Sequence, residues 1–183
     1  MKSIAENKAL RQLLWIGMGA IGMFFAGLTS AYIVRKAEGN WLDFVLPDWF
    51  LYSTIIIIIS SFFFVLARKN INNQHICSNL VLVVLILGLF FSYFQLNGWK
   101  ELTSQGVFLT GLGSNVAGSF LYVITLSHLI HLIGGLVAIL FVVFRTRKGL
   151  YTDGNYLGFD LAYWYWHFLG ILWIYLFFFL KYA

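Results

Sequence analysis

An all-α integral membrane bundle of five transmembrane helices is the fold this sequence predicts, on three observations. The first is composition: of 183 residues, 61% are hydrophobic, 20% aromatic and only 10% charged. A soluble domain of this length has too high a surface-to-volume ratio to hide so much apolar surface, so its main solvent must be lipid. The second is pattern. The apolar residues form five continuous runs, each reaching or approaching the ~20 residues a helix needs to cross ~30 Å of hydrocarbon. Continuous runs exclude a barrel, whose strands alternate. The third is charge placement: the basic residues sit in short segments between the runs, which writes topology rather than a nucleic-acid surface.

The first run, about 13–34, follows the polar stretch MKSIAENKALRQ and is long enough to span, so no cleavable signal peptide is expected. Its Gly17-Met-Gly19-Ala-Ile-Gly22 matches GxGxxG, but the dinucleotide fingerprint needs a preceding strand, and a polar, helix-prone stretch precedes this one. The small residues read better as packing. Gly22, Ala26 and Ser30 recur every four residues, as do Gly27 and Ala31, giving smooth faces for a neighbouring helix.

The second run, about 49–67, is introduced by WLDFVLPDWF (41–50). Trp41 and Trp49 suit headgroup depth, and Pro47-Asp48 suits a helix start with an acid near the positive dipole end. The third, about 79–96, carries Gln95 and follows Cys77. A lone cysteine excludes an intrachain disulfide and any cysteine-built cluster, and is expected to be an inert thiol at a helix end. A glycine-rich turn, GLGSNVAG (111–118), leads into the fourth run, about 119–144. The fifth, about 159–180, has Asp160 at its edge. No soluble domain, linker or repeat interrupts the chain, so residues 1–183 read as one transmembrane domain. Five unequal helices do not supply the two matching halves of an inverted-repeat transporter.

Orientation follows from Lys and Arg. Eight of the twelve (Lys2, Lys8, Arg11, Arg68, Lys69, Arg145, Arg147 and Lys148) fall on one side. Arg35, Lys36, Lys100 and Lys181 share the other with Glu38, Asp43, Asp48 and Glu101. The positive-inside rule then places the N-terminus in the cytoplasm and the C-terminus in the periplasm. Arg145, Arg147 and Lys148, clustered at the inner ends of helices four and five, are candidates for phospholipid headgroups as well as topology signals.

Ionisable groups at membrane depth ask for a function. Ser127-His128-Leu-Ile-His131 puts two imidazoles on one face of the fourth helix, and YWYWHF (163–168) puts His167 among five aromatic rings. Three readings stand. A b-type haem would need His128 or His131 to pair with His167, yet His131 and His167 differ in depth by ~8 Å at ~1.5 Å per residue. A proton relay would need carboxylates beside the histidines, and the runs hold none in their interior. Neutral histidines could instead hydrogen-bond to backbone or to Gln95 or Tyr122, tying helices together. Tyr163 and Trp164 are shallow enough for an interfacial belt, whereas Trp166 and His167 lie deeper and should face protein. Gly170, on the same face as His167, lets something approach closely. A channel or transporter would need polar linings on several helices, and the second and third offer little beyond Ser60, Ser61, Ser92 and Gln95.

Taken together, SHLIHLIGG (127–135), FDLAYWYWHFLGILWIYLF (159–177), MFFAGLTSAYIV (23–34), Leu87-Gly88 and Gln95 resemble subunit III of the haem–copper terminal oxidases. That family comprises the cytochrome c oxidases and their quinol-oxidising relatives. The resemblance covers essentially the whole chain and points to the five-helix bacterial form. It departs from seven-helix members at Ile21 and Gly170, where they carry acids, so roles of those acids in the lipid cleft or in proton handling do not transfer.

The resemblance implies a non-redox accessory subunit with no catalytic residue, haem or copper of its own. Such a subunit packs on catalytic subunit I, with subunit II also in the complex, in a bacterial inner membrane. It binds phospholipid, supports proton uptake into subunit I and slows turnover-linked inactivation; the complex can join a respiratory supercomplex. On this view His128, His131, Trp166, His167, Gln95, Gly22 and Ala26 make helix–helix contacts.

Overall fold

The computed structural model describes residues 4–42, 44–111, 113–151 and 156–183. Lys2 and Asp43, both used to read orientation, and Leu112 of the glycine-rich turn lie outside them. Five helices follow one another: α1 (Ile4–Ala37), α2 (Asp48–Lys69), α3 (Gln74–Ser104), α4 (Val116–Arg147) and α5 (Leu157–Tyr182). All five are long and apolar enough to cross a membrane. Among the described residues there is no strand.

Each helix contains one apolar run and extends past it. α3 is the extreme case: 31 residues, about 46 Å, against the run at 79–96. Hydropathy marks the part in lipid, but helical hydrogen bonds continue wherever the flanks lack a breaker. The ends are set locally. Pro47 precedes α2, with Asp48 in its first turn. Asn73 caps α3 through Ile76 N at 3.4 Å, and Asn115 caps α4 through Ala117 N at 2.9 Å.

The helices fall into two unequal parts. α2, α3, α4 and α5 close a ring, each touching the next and α5 returning to α2. α1 touches only α4 and α5 and lies over their seam. It runs parallel to α5 in constant register, through Arg11 with Asp160, Trp15 with Trp164, Thr29 with Tyr175 and Lys36 with the Ala183 carbonyl.

Two glycines allow the ring to close. A Cβ at Gly88 would stand 2.6 Å from Leu136 and 2.7 Å from Trp166, and one at Gly98 would stand 2.7 Å from Phe50. Large aromatic side chains fill the notches, as small residues at helix crossings permit.

Candidate functional site

Indole N–H groups only donate, and in a lipid-embedded bundle each needs an internal acceptor. Three tryptophans find one across the ring. Trp166 Nε1 donates to Ser60 Oγ at 3.0 Å, Trp173 Nε1 to Thr54 Oγ1 at 3.0 Å, and Trp99 Nε1 to Thr125 Oγ1 at 3.0 Å. Gln95 Nε2 donates to Ser53 Oγ at 2.9 Å. These bonds join α5 to α2, α4 to α3 and α3 to α2. Tyr122 adds an outer tie, its hydroxyl donating to Val107 O at 3.1 Å.

The histidines behave differently from the tie expected of them. His131 Nδ1 donates to Ser127 O at 2.7 Å and His167 Nδ1 to Tyr163 O at 2.8 Å, each a carbonyl of its own helix. A carbonyl can only accept, so the proton sits on Nδ1 in both rings. His128, fully buried, bonds to neither Gln95 nor Tyr122; both its ring nitrogens lack a partner. It is flanked by the rings of Phe25, Phe91 and Trp173, with centroids at 6.3, 6.0 and 5.0 Å. Of the partners expected, His131 and His167 take backbone carbonyls, each on its own helix, so these bonds do not cross between helices. The bonds between helices run from indoles and the Gln95 amide to hydroxyls, and the imidazoles bridge helices by ring packing.

Depth needs correction too. His128 against Trp173 and Gly135 against Trp166 set the α4–α5 register. His131 is then three residues from level with His167, about 4.5 Å rather than 8 Å. The earlier figure assumed that the two apolar runs end at one depth. The rings still serve separate surroundings: His131 packs on Phe24 and Phe25, His167 on Phe64 and Tyr163. Among the described residues, no group of three or more His, Cys, Asp or Glu could hold a metal ion.

Trp166 is fully buried, while Trp164 is 44% exposed. What approaches Gly170 is α2, whose Ser61 Oγ would lie 3.3 Å from a Cβ there. Gly22 and Ala26 are not pressed against a neighbouring helix: a Cβ at Gly22 would find nothing within 4 Å, and Ala26 is exposed. Gly22 instead lines a cavity of about 450 Å³ with Trp15, Trp164, His167 and Ile171. The smooth face predicted on the first helix exists, but α4 and α5 pack against the larger residues beside it, such as Phe25.

A second cluster closes the end of the bundle where α1 begins. Asp160 bonds Arg68 at 3.0 Å and Arg11 at 3.2 Å, so one carboxylate joins α5, α2 and α1. Arg68 also lies over the Tyr163 ring, 4.6 Å from its centroid. Nearby, a groove of about 660 Å³ runs between α4 and α5, lined by Leu14, Ala138, Phe141, Leu161 and Tyr165 and ending at Arg145 and Tyr151. Burial raises the Tyr151 pKa against the opposing effect of the nearby Arg145 guanidinium, so the phenol stays neutral. Arg147 and Lys148, which follow Arg145 in the chain, are exposed.

Sequence reasoning missed the partners of Trp166 and Trp173, and Asp160 as a clamp. A signal for the first existed: the tryptophans are seven apart on α5 and their acceptors, Thr54 and Ser60, six apart on α2, close to the matched spacing of one antiparallel seam.

The family model for cytochrome c oxidase subunit III matches residues 44–183. The probable cytochrome c oxidase subunit 3 of Nocardia farcinica is 31% identical over 170 residues, covering 85% of this chain and 78% of that one. Its counterpart in Mycobacterium tuberculosis H37Rv is 32% identical over 166 residues with the same shares. The cytochrome c oxidase subunit 3 of Rhipicephalus sanguineus is 29% identical over 132 residues, 71% of this chain and 49% of that one.

Proposed function

From the premise that this chain belongs to the cytochrome c oxidase subunit III family and is a multi-pass accessory subunit of a haem–copper oxidase, we propose how it serves that complex. Its task is architectural. It packs on catalytic subunit I, beside subunit II, in a bacterial inner membrane with the N-terminus cytoplasmic. Oxygen reduction takes place on haem and copper in the partner subunits, since this family carries neither itself.

The observation that carries the proposal is the contrast between satisfied and open faces. Inside the ring the polar groups mostly serve helix contacts, through Trp166, Trp173, Gln95 and the rings packed on His128, His131 and His167. Two faces remain open. The small-residue face of α1, with Gly22 and Ala26, suits a helix of a neighbouring subunit. The α4–α5 groove, apolar along its length and cationic at Arg145, with Arg147 and Lys148 following in the chain, suits one phospholipid. An acyl chain would lie along Phe141 and Leu161 with its phosphate on the guanidinium.

The test is purification of the native complex from wild-type cells and from cells lacking this chain. Haem-bearing subunits should co-migrate with the chain. Its loss should leave their visible spectrum in place while shortening the number of turnovers before inactivation. A Soret band carried by the isolated chain would instead favour a b-type cytochrome.

A further inference from the structure

Gln95 is 1% exposed and His128 0%, yet Oε1 of Gln95 and both ring nitrogens of His128 have no hydrogen-bond partner. Buried polar groups are nearly always paired, with protein or with ordered water. The two residues belong to one layer of the bundle. α3 and α4 are antiparallel, with their register fixed by Trp99 on Thr125 and by Gly88 facing Leu136. Four residues back from Trp99 and three forward from Thr125, Gln95 and His128 lie within about one residue, ~1.5 Å, of the same depth.

Both also sit on the buried stripes of their helices, beside Phe91 and Gly98 on α3 and Thr125 and Leu132 on α4. α2 and α5 close the layer around them. Ser53 accepts from Gln95, the adjacent Thr54 accepts from Trp173, and Trp173 packs on the imidazole. The rings flanking His128 offer no conventional acceptor, so its capacity is not met by them.

We propose that Gln95 and His128 hold one internal water molecule between α3 and α4. The water donates a hydrogen to Gln95 Oε1. Its oxygen accepts the imidazole N–H, or its second hydrogen meets the imidazole lone pair; a neutral ring carries one of each, so either tautomer serves. Buried waters occur where two to four otherwise unsatisfied polar groups meet. The site extends the hydrogen-bonded layer from α2 through α3 to α4 at the centre of the ring. It lies wholly inside this chain and is independent of which subunit the chain packs against.

A double-mutant cycle tests it: Gln95→Leu, His128→Leu and both together, in the purified complex, reading the temperature at which the subunit is lost. Each single change should lower that temperature, and the pair should lower it by less than the two shifts combined, because the water leaves with either partner. Additive shifts overturn the proposal. Because a variant that does not assemble has no shift to read, a second measurement leaves the chain intact. A density map that resolves waters should show a peak within hydrogen-bond reach of Gln95 Oε1 and one His128 nitrogen. A direct Gln95–His128 bond, or a dry contact between them, overturns the proposal.

Discussion

α1 and the α2–α5 ring span the same membrane and obey different rules. In the most apolar stretch of α1, 17% of residues are buried within the chain, against 44% in α4 and in α5. The ring is crossed by indole-to-hydroxyl bonds at three places. α1 has its polar ties nearer its ends, Arg11 on Asp160 at one and Thr29 on Tyr175 and Lys36 on Ala183 toward the other, with Phe25 packed on His128 and His131 between them. The family match begins at residue 44, so it covers the whole ring and leaves α1 out. The helices of the ring are bonded to one another, whereas α1 carries a small-residue face in open space.

Glycine substitution breaks this comparison most sharply. Gly88→Val drives methyls into Leu136 and Trp166, both buried, and should cost about 3 kcal/mol or more, enough to lose the subunit from membranes. Gly22→Val puts its Cβ in open space, at a cavity rather than against a packed neighbour. Its expected outcome is a folded subunit with weakened retention in the complex, read by comparing membrane content with co-purification. Equal loss of membrane content in both variants would show that α1 and the ring do not differ.

The indole bonds come next in size. Trp166→Phe and Trp173→Phe keep most of the ring packing but leave Ser60 or Thr54 without its donor. Each should lower stability by about 0.6–2 kcal/mol, the range for a hydrogen bond between membrane helices. Retention of the subunit against rising detergent measures it. No shift in either variant would mean that the ring is held by shape alone.

How much of this was legible beforehand follows from range. Hydropathy is local, so five helices and their order could be read directly, while α3 ran well beyond its apolar run because helical bonding does not stop where lipid does. Partner choice depends on register, which a run of apolar residues barely encodes. Trp166 was expected to face protein, and it does, but nothing identified Ser60 as its acceptor. His128 drew attention because imidazoles are rare at that depth, yet Thr54, a residue with no such rarity, makes the tie to Trp173. The stripe on α1 was legible as chemistry, but not the fact that this chain leaves it open.

Asp160→Asn sharpens the comparison at a carboxylate that bonds both parts. The change removes the charge that faces Arg11 of α1 and Arg68 of α2 together. Arg11 is 59% and Arg68 38% exposed, so screening limits the loss to about 1 kcal/mol. α1 should loosen first, because Arg11 is the more exposed partner, whereas Arg68 also keeps its place over Tyr163. Cysteine labelling or proteolysis near residue 11 should rise while the ring stays protected, and raising salt should reproduce part of the effect in the wild-type chain. Equal loss of protection in α1 and α2 would place the clamp in the ring alone.

The smallest effect on the fold is expected at Arg145, where the groove meets the membrane surface. Arg145→Gln keeps a polar side chain with hydrogen-bond donors but removes the charge. The side chain is exposed, so stability should change by less than about 0.5 kcal/mol. Lipid content should respond instead. Attraction of anionic headgroups is worth about 1 kcal/mol per basic residue, so loss of one should reduce retention of a groove lipid roughly fivefold. Phosphorus analysis of the delipidated complex, wild type against variant, reads this directly. The groove lies on the α4–α5 seam that α1 also covers, with Leu14 on its wall, so a lost lipid should loosen α1 before it disturbs the ring. Unchanged phosphorus in the variant would mean that Arg145 serves Tyr151 and topology alone, and that the apolar groove holds its chain without a charge.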